Sequence, residues 1–262
     1  ILRPPHPRWK QRAVNASQAR PLNKTGRIRA PKVRSDMSKR AIWSIGILAW
    51  LVVLAAATLV DRTVAEWVKA RAADTVHSPW HVLFNKSSFL MVTLKLPGYF
   101  YFTMVLAVIL WALHPRHVEA LALVLLSGTL GGLLYCVVKW LVGRHRPVNG
   151  IEPFHFTPLA GGLKGLFISP PNLSFPSGHA TLSFATAASL AILIPRWRWA
   201  FFLAASLVAI ERVLENAHYV SDVVAGAGLG VISAGLVQMW LKSMSARAQE
   251  VGASATPPNV AG

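Results

Sequence analysis

The sequence is poor in acidic residues, in charge and in cysteine. Ten of its 262 residues are Asp or Glu, against 27 Lys and Arg, and charged residues make up only 14%. Cys136 is the single cysteine. An intrachain disulfide is therefore excluded and no cysteine-based metal site is indicated; within its apolar run Cys136 reads as a small core residue. So little charge, beside 53% hydrophobic residues and a mean hydropathy of +0.44, argues against an ordinary soluble domain and for a membrane protein.

What charge there is has an uneven distribution. The formal net charge is +17, and twelve of the Lys and Arg fall in residues 1–40, where Asp36 is the only acid. With several prolines and few large apolar residues, this segment reads as a disordered basic cytoplasmic tail beside acidic lipid. It lacks the interleaved aromatics and folded reader of a nucleic-acid site, so no nucleic-acid partner is expected. The first apolar run lies too far in for a simple secretory signal peptide, and a retained anchor is the better reading.

Six apolar segments follow. Ala41–Val60 is an uncharged run ending at Asp61, long enough to cross a bilayer as a helix. Residues 61–89 are mixed, with Trp67 and Trp80 suited to the membrane interface. Pro97–Leu113, Val118–Val138, Ala180–Ile194, a stretch from Trp199 past Arg212, and Val223–Leu241 complete the set. The expected fold is thus all-α, a six-span transmembrane bundle over residues 41–241, between the basic tail and a polar C-terminal tail, 242–262. Six spans put both termini on one side. Arg116, Arg196, Arg198, Lys242 and Arg247 share it with the tail, which makes it the cytoplasm.

Polar chemistry gathers at three places. Residues 139–147 read KWLVGRHRP, and Lys139 and Arg146 are placed to clamp a phosphoryl group. The alternative is a snorkelling basic cap, and Arg144 and His145 are read as no more than that. Residues 175–180 read FPSGHA. Ser177 and Gly178 precede an apolar helix whose first N–H groups suit an anion, and His179 can supply a proton. An ordinary N-cap followed by a structural histidine is the alternative. Residues 212–222 carry Arg212, His218 and Asp222. A helical turn would bring Asp222 to one imidazole nitrogen and leave the other free to attack. A lone His/Asp pair can also be structural. Under six spans all three clusters lie on one membrane face.

These three parts, in this order and spacing, resemble the type 2 phosphatidic acid phosphatase (PAP2) superfamily, which includes membrane lipid phosphatases and soluble vanadium haloperoxidases. Lys139, Arg146 and Pro147 match its first motif, Pro176 to His179 its second, and Arg212, His218 and Asp222 its third. Glu211 stands where the third motif has Ser. The resemblance implies that His218 attacks phosphorus and Asp222 orients it. It implies that His179 protonates the leaving oxygen, while Lys139, Arg146 and Arg212, with Ser177 and Gly178, hold the phosphoryl oxygens.

The function so implied is hydrolysis of a phosphomonoester or diphosphate of an amphiphilic lipid through a phosphohistidine. Undecaprenyl diphosphate, lipid A, phosphatidylglycerol phosphate and phosphatidate are the substrates considered. The expected setting is the bilayer of a bacterial inner membrane, with the site facing the periplasm. No cofactor and no metal are expected, because the surrounding Lys and Arg would repel a cation. His155 and Lys164, in the loop 143–177, are candidate headgroup contacts. The competing functions are a non-catalytic lipid transporter or scaffold, and a vanadium haloperoxidase.

Overall fold

A computed structural model describes residues 32–73, 89–113, 117–168, 170 and 172–254. The basic tail up to residue 31, Trp80 and Arg116 lie outside the described residues. The chain divides into two units, Ile1–Ala49 and Trp50–Gly262, and the second holds every candidate site residue.

Helices α1 (Lys32–Ala73), α2 (Phe89–Lys95), α3 (Phe100–Leu113) and α4 (His117–Val142) come first. They are followed by α5 (Gly162–Phe167), α6 (Gly178–Leu193), α7 (Arg198–Leu214) and α8 (Val220–Ser254). Prolines mark the breaks, as residues that cannot continue a hydrogen-bonded helix. Pro97 lies in the 3-10 turn between α2 and α3, where the axis bends by 67°, and Pro195 opens the turn between α6 and α7. The apolar run expected to stop at Asp61 continues as helix to Ala73. The C-terminal helix likewise continues past Leu241.

The six spans expected from hydropathy are a correction. Among the described residues three helices are long and apolar enough to cross a membrane, within Ala41–Ala72, Val118–Val142 and Val220–Glu250. The bent pair Phe89–Gly98 and Phe100–Leu113 makes at most a fourth. The physical reason lies in α6 and α7. At 16 residues α6 is about 24 Å long, short of the roughly 30 Å of hydrocarbon. Its apolarity serves packing between helices, since Ala180, Thr181, Ala185, Thr186 and Ala188 are all buried. At 17 residues α7 is equally short, and its last turns bury Glu211 and Arg212.

α6 is the centre of the second unit, packed against α4, α7 and α8. Small side chains allow this, because they let helix backbones come close. Gly226 and Gly230 of α8 sit on the α6 backbone: a Cβ on Gly226 would lie 2.5 Å from the Ser177 carbonyl, and one on Gly230 would overlap the Thr181 carbonyl. Thr103 of α3 and Thr186 of α6 share a buried hydroxyl hydrogen bond of 3.0 Å. Trp50 of α1 donates from Nε1 to the Val224 carbonyl of α8 at 2.9 Å. These contacts fix the ends of α4, α6, α7 and α8 that carry the polar clusters.

Candidate active site

The site is built where α6 and α8 begin and α4 and α7 end. Ser177 is the N-cap of α6: its Oγ accepts from the Ala180 N–H at 3.5 Å, and its own N–H donates to the Asp222 carbonyl at 3.0 Å. That bond joins the second cluster to the third. Gly178 opens the helix against the ring of Tyr135, where a Cβ would meet carbon at 3.1 Å. Asp222 sits in the first turn of α8, and its Oδ2 accepts the Tyr219 N–H at 2.8 Å. A side chain three residues in that reaches back to the capping N–H closes a helix start, and a carboxylate there also suits the helix dipole.

His218 precedes α8 rather than lying on it. Its Nδ1 is 3.5 Å from Asp222 Oδ2, with no nearer polar partner, and the residue is 4% exposed. Burial holds the His218 imidazole well below its ordinary value of 6.5, at about 4; Asp222 opposes that fall, while Lys139 and Arg146 add to it. The ring is therefore neutral across the ordinary pH range, as a nitrogen nucleophile must be. His179, in the first turn of α6, packs edge-on against Tyr99 at 4.8 Å, and its Nε2 is buried without a hydrogen-bond partner. A buried imidazole nitrogen without a partner has a proton to give or a lone pair to use.

The expected cations come to the same place. Lys139, at the end of α4, is buried with its Nζ 5.4 Å from the Tyr135 ring centre. Arg146 donates from Nε to the Leu173 carbonyl at 3.1 Å. Burial and then repulsion by Arg212 lower the Arg146 guanidinium from its ordinary value, so these cations share one field. Arg212 is more engaged than its motif suggests. Its Nε and Nη2 donate to Glu211 at 2.7 and 2.9 Å, and Nη2 also meets Glu215. Lys95 closes this cluster, 3.6 Å from Glu211 and in contact with Glu215. Among the described residues no group of His, Cys, Asp and Glu is arranged to hold a metal.

Several residues here escaped the sequence reading. Arg144, read as a basic cap, is buried and bonded to both Asp222 and Asp61. Asp61 bonds Ser221 as well. Lys95, Glu211 and Glu215 were not singled out as a cluster. A usable signal existed for the acids: with ten in the whole chain, one at the end of an apolar run or inside an apolar helix needs a partner. The two candidate headgroup contacts separate. His155 stacks on His145 with ring centres 4.1 Å apart, over a small cleft that Arg146 also lines, whereas Lys164 is exposed on α5.

Residues 119–244, which include every expected site residue, match the PAP2 superfamily. That match covers just under half of the chain. A lipid A 1-phosphatase of Rhizobium etli is 41% identical over 101 residues, which are 38% of this chain and 40% of the relative. An undecaprenyl-diphosphatase of Sulfolobus acidocaldarius is 29% identical over 117 residues, 44% of this chain and 48% of the relative. The chain thus spans less than half the length of these relatives. A transmembrane PAP2-type phosphatidylglycerolphosphate phosphatase from Bacillus subtilis shares the fold, with TM-score 0.51 and 23% identity over 75% of this chain and 94% of that one. Of the three described helices long and apolar enough to cross a membrane, the matched residues take in most of two. Asp61 and Lys95 lie outside the matched residues.

Proposed function

We propose that the chain is an integral membrane phosphatase that hydrolyses a phosphomonoester or diphosphate of an amphiphilic lipid, without a metal, through a phosphohistidine on His218. The observation that carries this is the meeting of His218, Asp222 and the unpartnered Nε2 of His179 beside Lys139, Arg146 and Arg212. With Nδ1 turned to Asp222, Nε2 of His218 attacks phosphorus in line and the phosphorus–leaving-oxygen bond breaks. Burial and then Arg212, His218 and Lys139 hold the His179 imidazole well below its ordinary value in the free site, so it gains a proton as the substrate's phosphate enters the cradle and delivers that proton to the leaving oxygen. It then takes one from the water that cleaves the phosphorus–nitrogen bond, releasing phosphate and restoring His218. Lys139, Arg146 and Arg212 stabilise the charge on the equatorial oxygens, with Ser177 and the Gly178 backbone as further donors.

The matched relatives act on lipid phosphates by name, which supports a lipid substrate here. The setting that fits is a bacterial inner membrane. α8 leads away from the site to Lys242 and Arg247, and the basic residues 1–40 belong on the cytoplasmic side by charge. The site then faces the periplasm. A vanadium haloperoxidase would use the same oxyanion cradle, but three membrane-length helices favour the lipid enzyme.

Phosphate release by the purified protein, with no added metal, is to be measured on lipid A, phosphatidate, phosphatidylglycerol phosphate and undecaprenyl diphosphate. Turnover on at least one is expected, falling about 10⁴-fold or more in His218→Ala. Folded protein that releases phosphate from none of them would hand the fold to a lipid transporter or scaffold.

A further inference from the structure

Arg144 commits four of its five N–H donors without touching the proposed phosphoryl cradle. Its Nε donates to the Pro153 carbonyl at 2.7 Å, Nη1 to Asp222 Oδ1 at 2.8 Å and to Ser221 Oγ at 2.6 Å, and Nη2 to Asp61 Oδ2 at 2.8 Å. Its planar face lies 4.1 Å from the Tyr219 ring centre, and it is 3% exposed. Asp61 completes a closed circuit. It accepts the Ser221 N–H at 2.9 Å and the Ser221 hydroxyl at 2.5 Å, and is itself fully buried. One buried guanidinium therefore serves two buried carboxylates. One of these is the carboxylate that faces His218.

A charge of this kind does two things. It fixes Asp222 from the side opposite its bond to the Tyr219 N–H, so that the carboxylate cannot rotate away from His218. It also offsets part of the negative field that Asp222 presents to the imidazole. Asp61 draws on the same positive charge, so it sets how much remains. The other groups facing His218 are two basic side chains and one imidazole: Lys139 from α4, Arg146 from the loop and His179 from α6.

We propose that Arg144 and Asp61 are positioning residues for the His218–Asp222 pair, with Arg144 restraining Asp222 and Asp61 tuning the charge of Arg144. The proposal deepens the phosphatase reading and rests on it for its catalytic meaning, but its electrostatic content can be read without turnover. The His218 imidazole is to be titrated by NMR in ring-labelled protein in detergent micelles, in wild type, Arg144→Gln and Asp61→Asn. Removing the cation lets Asp222 hold the imidazolium more strongly, so the titration moves up by about one pH unit in Arg144→Gln. Removing the distant anion moves it down in Asp61→Asn. The acid limb of kcat/KM follows with the same opposite signs, and kcat in Arg144→Gln falls about tenfold with little change in KM.

Shifts of the same sign, or none in either folded variant, would overturn the proposal, because a merely structural brace gives no sign reversal. If Arg144→Gln does not fold, the direction in Asp61→Asn decides alone. Opposite shifts in a protein that releases no phosphate would keep the coupling and sink the phosphatase reading instead.

Discussion

Two buried arginines among the described residues sit among carboxylates, and they are used differently. Arg144 is enclosed by groups from α1, α8 and the loop, has its bonds spent on Asp61, Asp222, Ser221 and Pro153, and faces the back of the His218–Asp222 pair. Arg212 lies within the proposed phosphoryl cradle, yet it is held by Glu211 and Glu215, which Lys95 also contacts. The first cluster is a scaffold that keeps one carboxylate oriented. The second is a charge balance, in which two acids temper cations that would otherwise meet an oxyanion undiluted. Buried ion pairs gain little net stability when desolvation is counted, so both clusters are better understood through what they orient.

The contrast can be broken first at Asp222, the residue on which Arg144 and His218 converge. Asp222→Asn keeps the shape but removes the charge that stabilises the imidazolium. It is expected to lower kcat about 10³-fold with the helices intact, checked by turnover beside circular dichroism.

A second measurement sharpens the electrostatics around His218. With its imidazole held at about 4 by burial, protonation removes the nucleophile only as pH falls through that value. The acid limb of kcat/KM is therefore expected near pH 4 and not near 6.5, once the substrate's own ionisation is subtracted. A limb near 6.5 would mean that the imidazole is solvated.

The smallest effect is expected from the second cluster. Glu211→Ser, which places the superfamily's common residue beside Arg212, leaves Glu215 to hold the arginine. It is expected to lower KM for a lipid phosphate about fivefold by freeing positive charge, roughly 1 kcal/mol of binding, with kcat nearly unchanged. An unchanged KM would place Glu211 among the purely structural acids.

These clusters also show where a linear sequence stops being readable. His218, Asp222, Ser177 and the motif cations could be named as candidates because each motif is local. Their convergence was legible as well, although the six spans invoked for it were too many. Hydropathy counts apolar residues and does not ask what they face. In α6 they face other helices, as the buried Ala180, Thr181, Ala185 and Thr186 show, so the segment reads as a span while remaining short of one. The Asp61–Arg144 pair was not legible at all. The partners are 83 residues apart, and Ser221, which joins them, is 160 residues from Asp61. Nothing in a local pattern selects one cation among 27 for a given acid.

The seating of Gly226 and Gly230 on the α6 backbone has a bearing on how such a protein changes over time. Close backbone contact at these glycines, with Ala180 Cβ and the Thr181 hydroxyl beside Gly226, helps to set the separation between His179 at the start of α6 and His218 ahead of α8. The loop before α6 ends in its N-cap, Ser177. Substitutions in that loop away from Arg144, Arg146 and Ser177 would remodel the proposed headgroup rim while the spacing of His179 and His218 stays as it is. Selectivity and chemistry are thereby free to evolve at different rates in one small bundle.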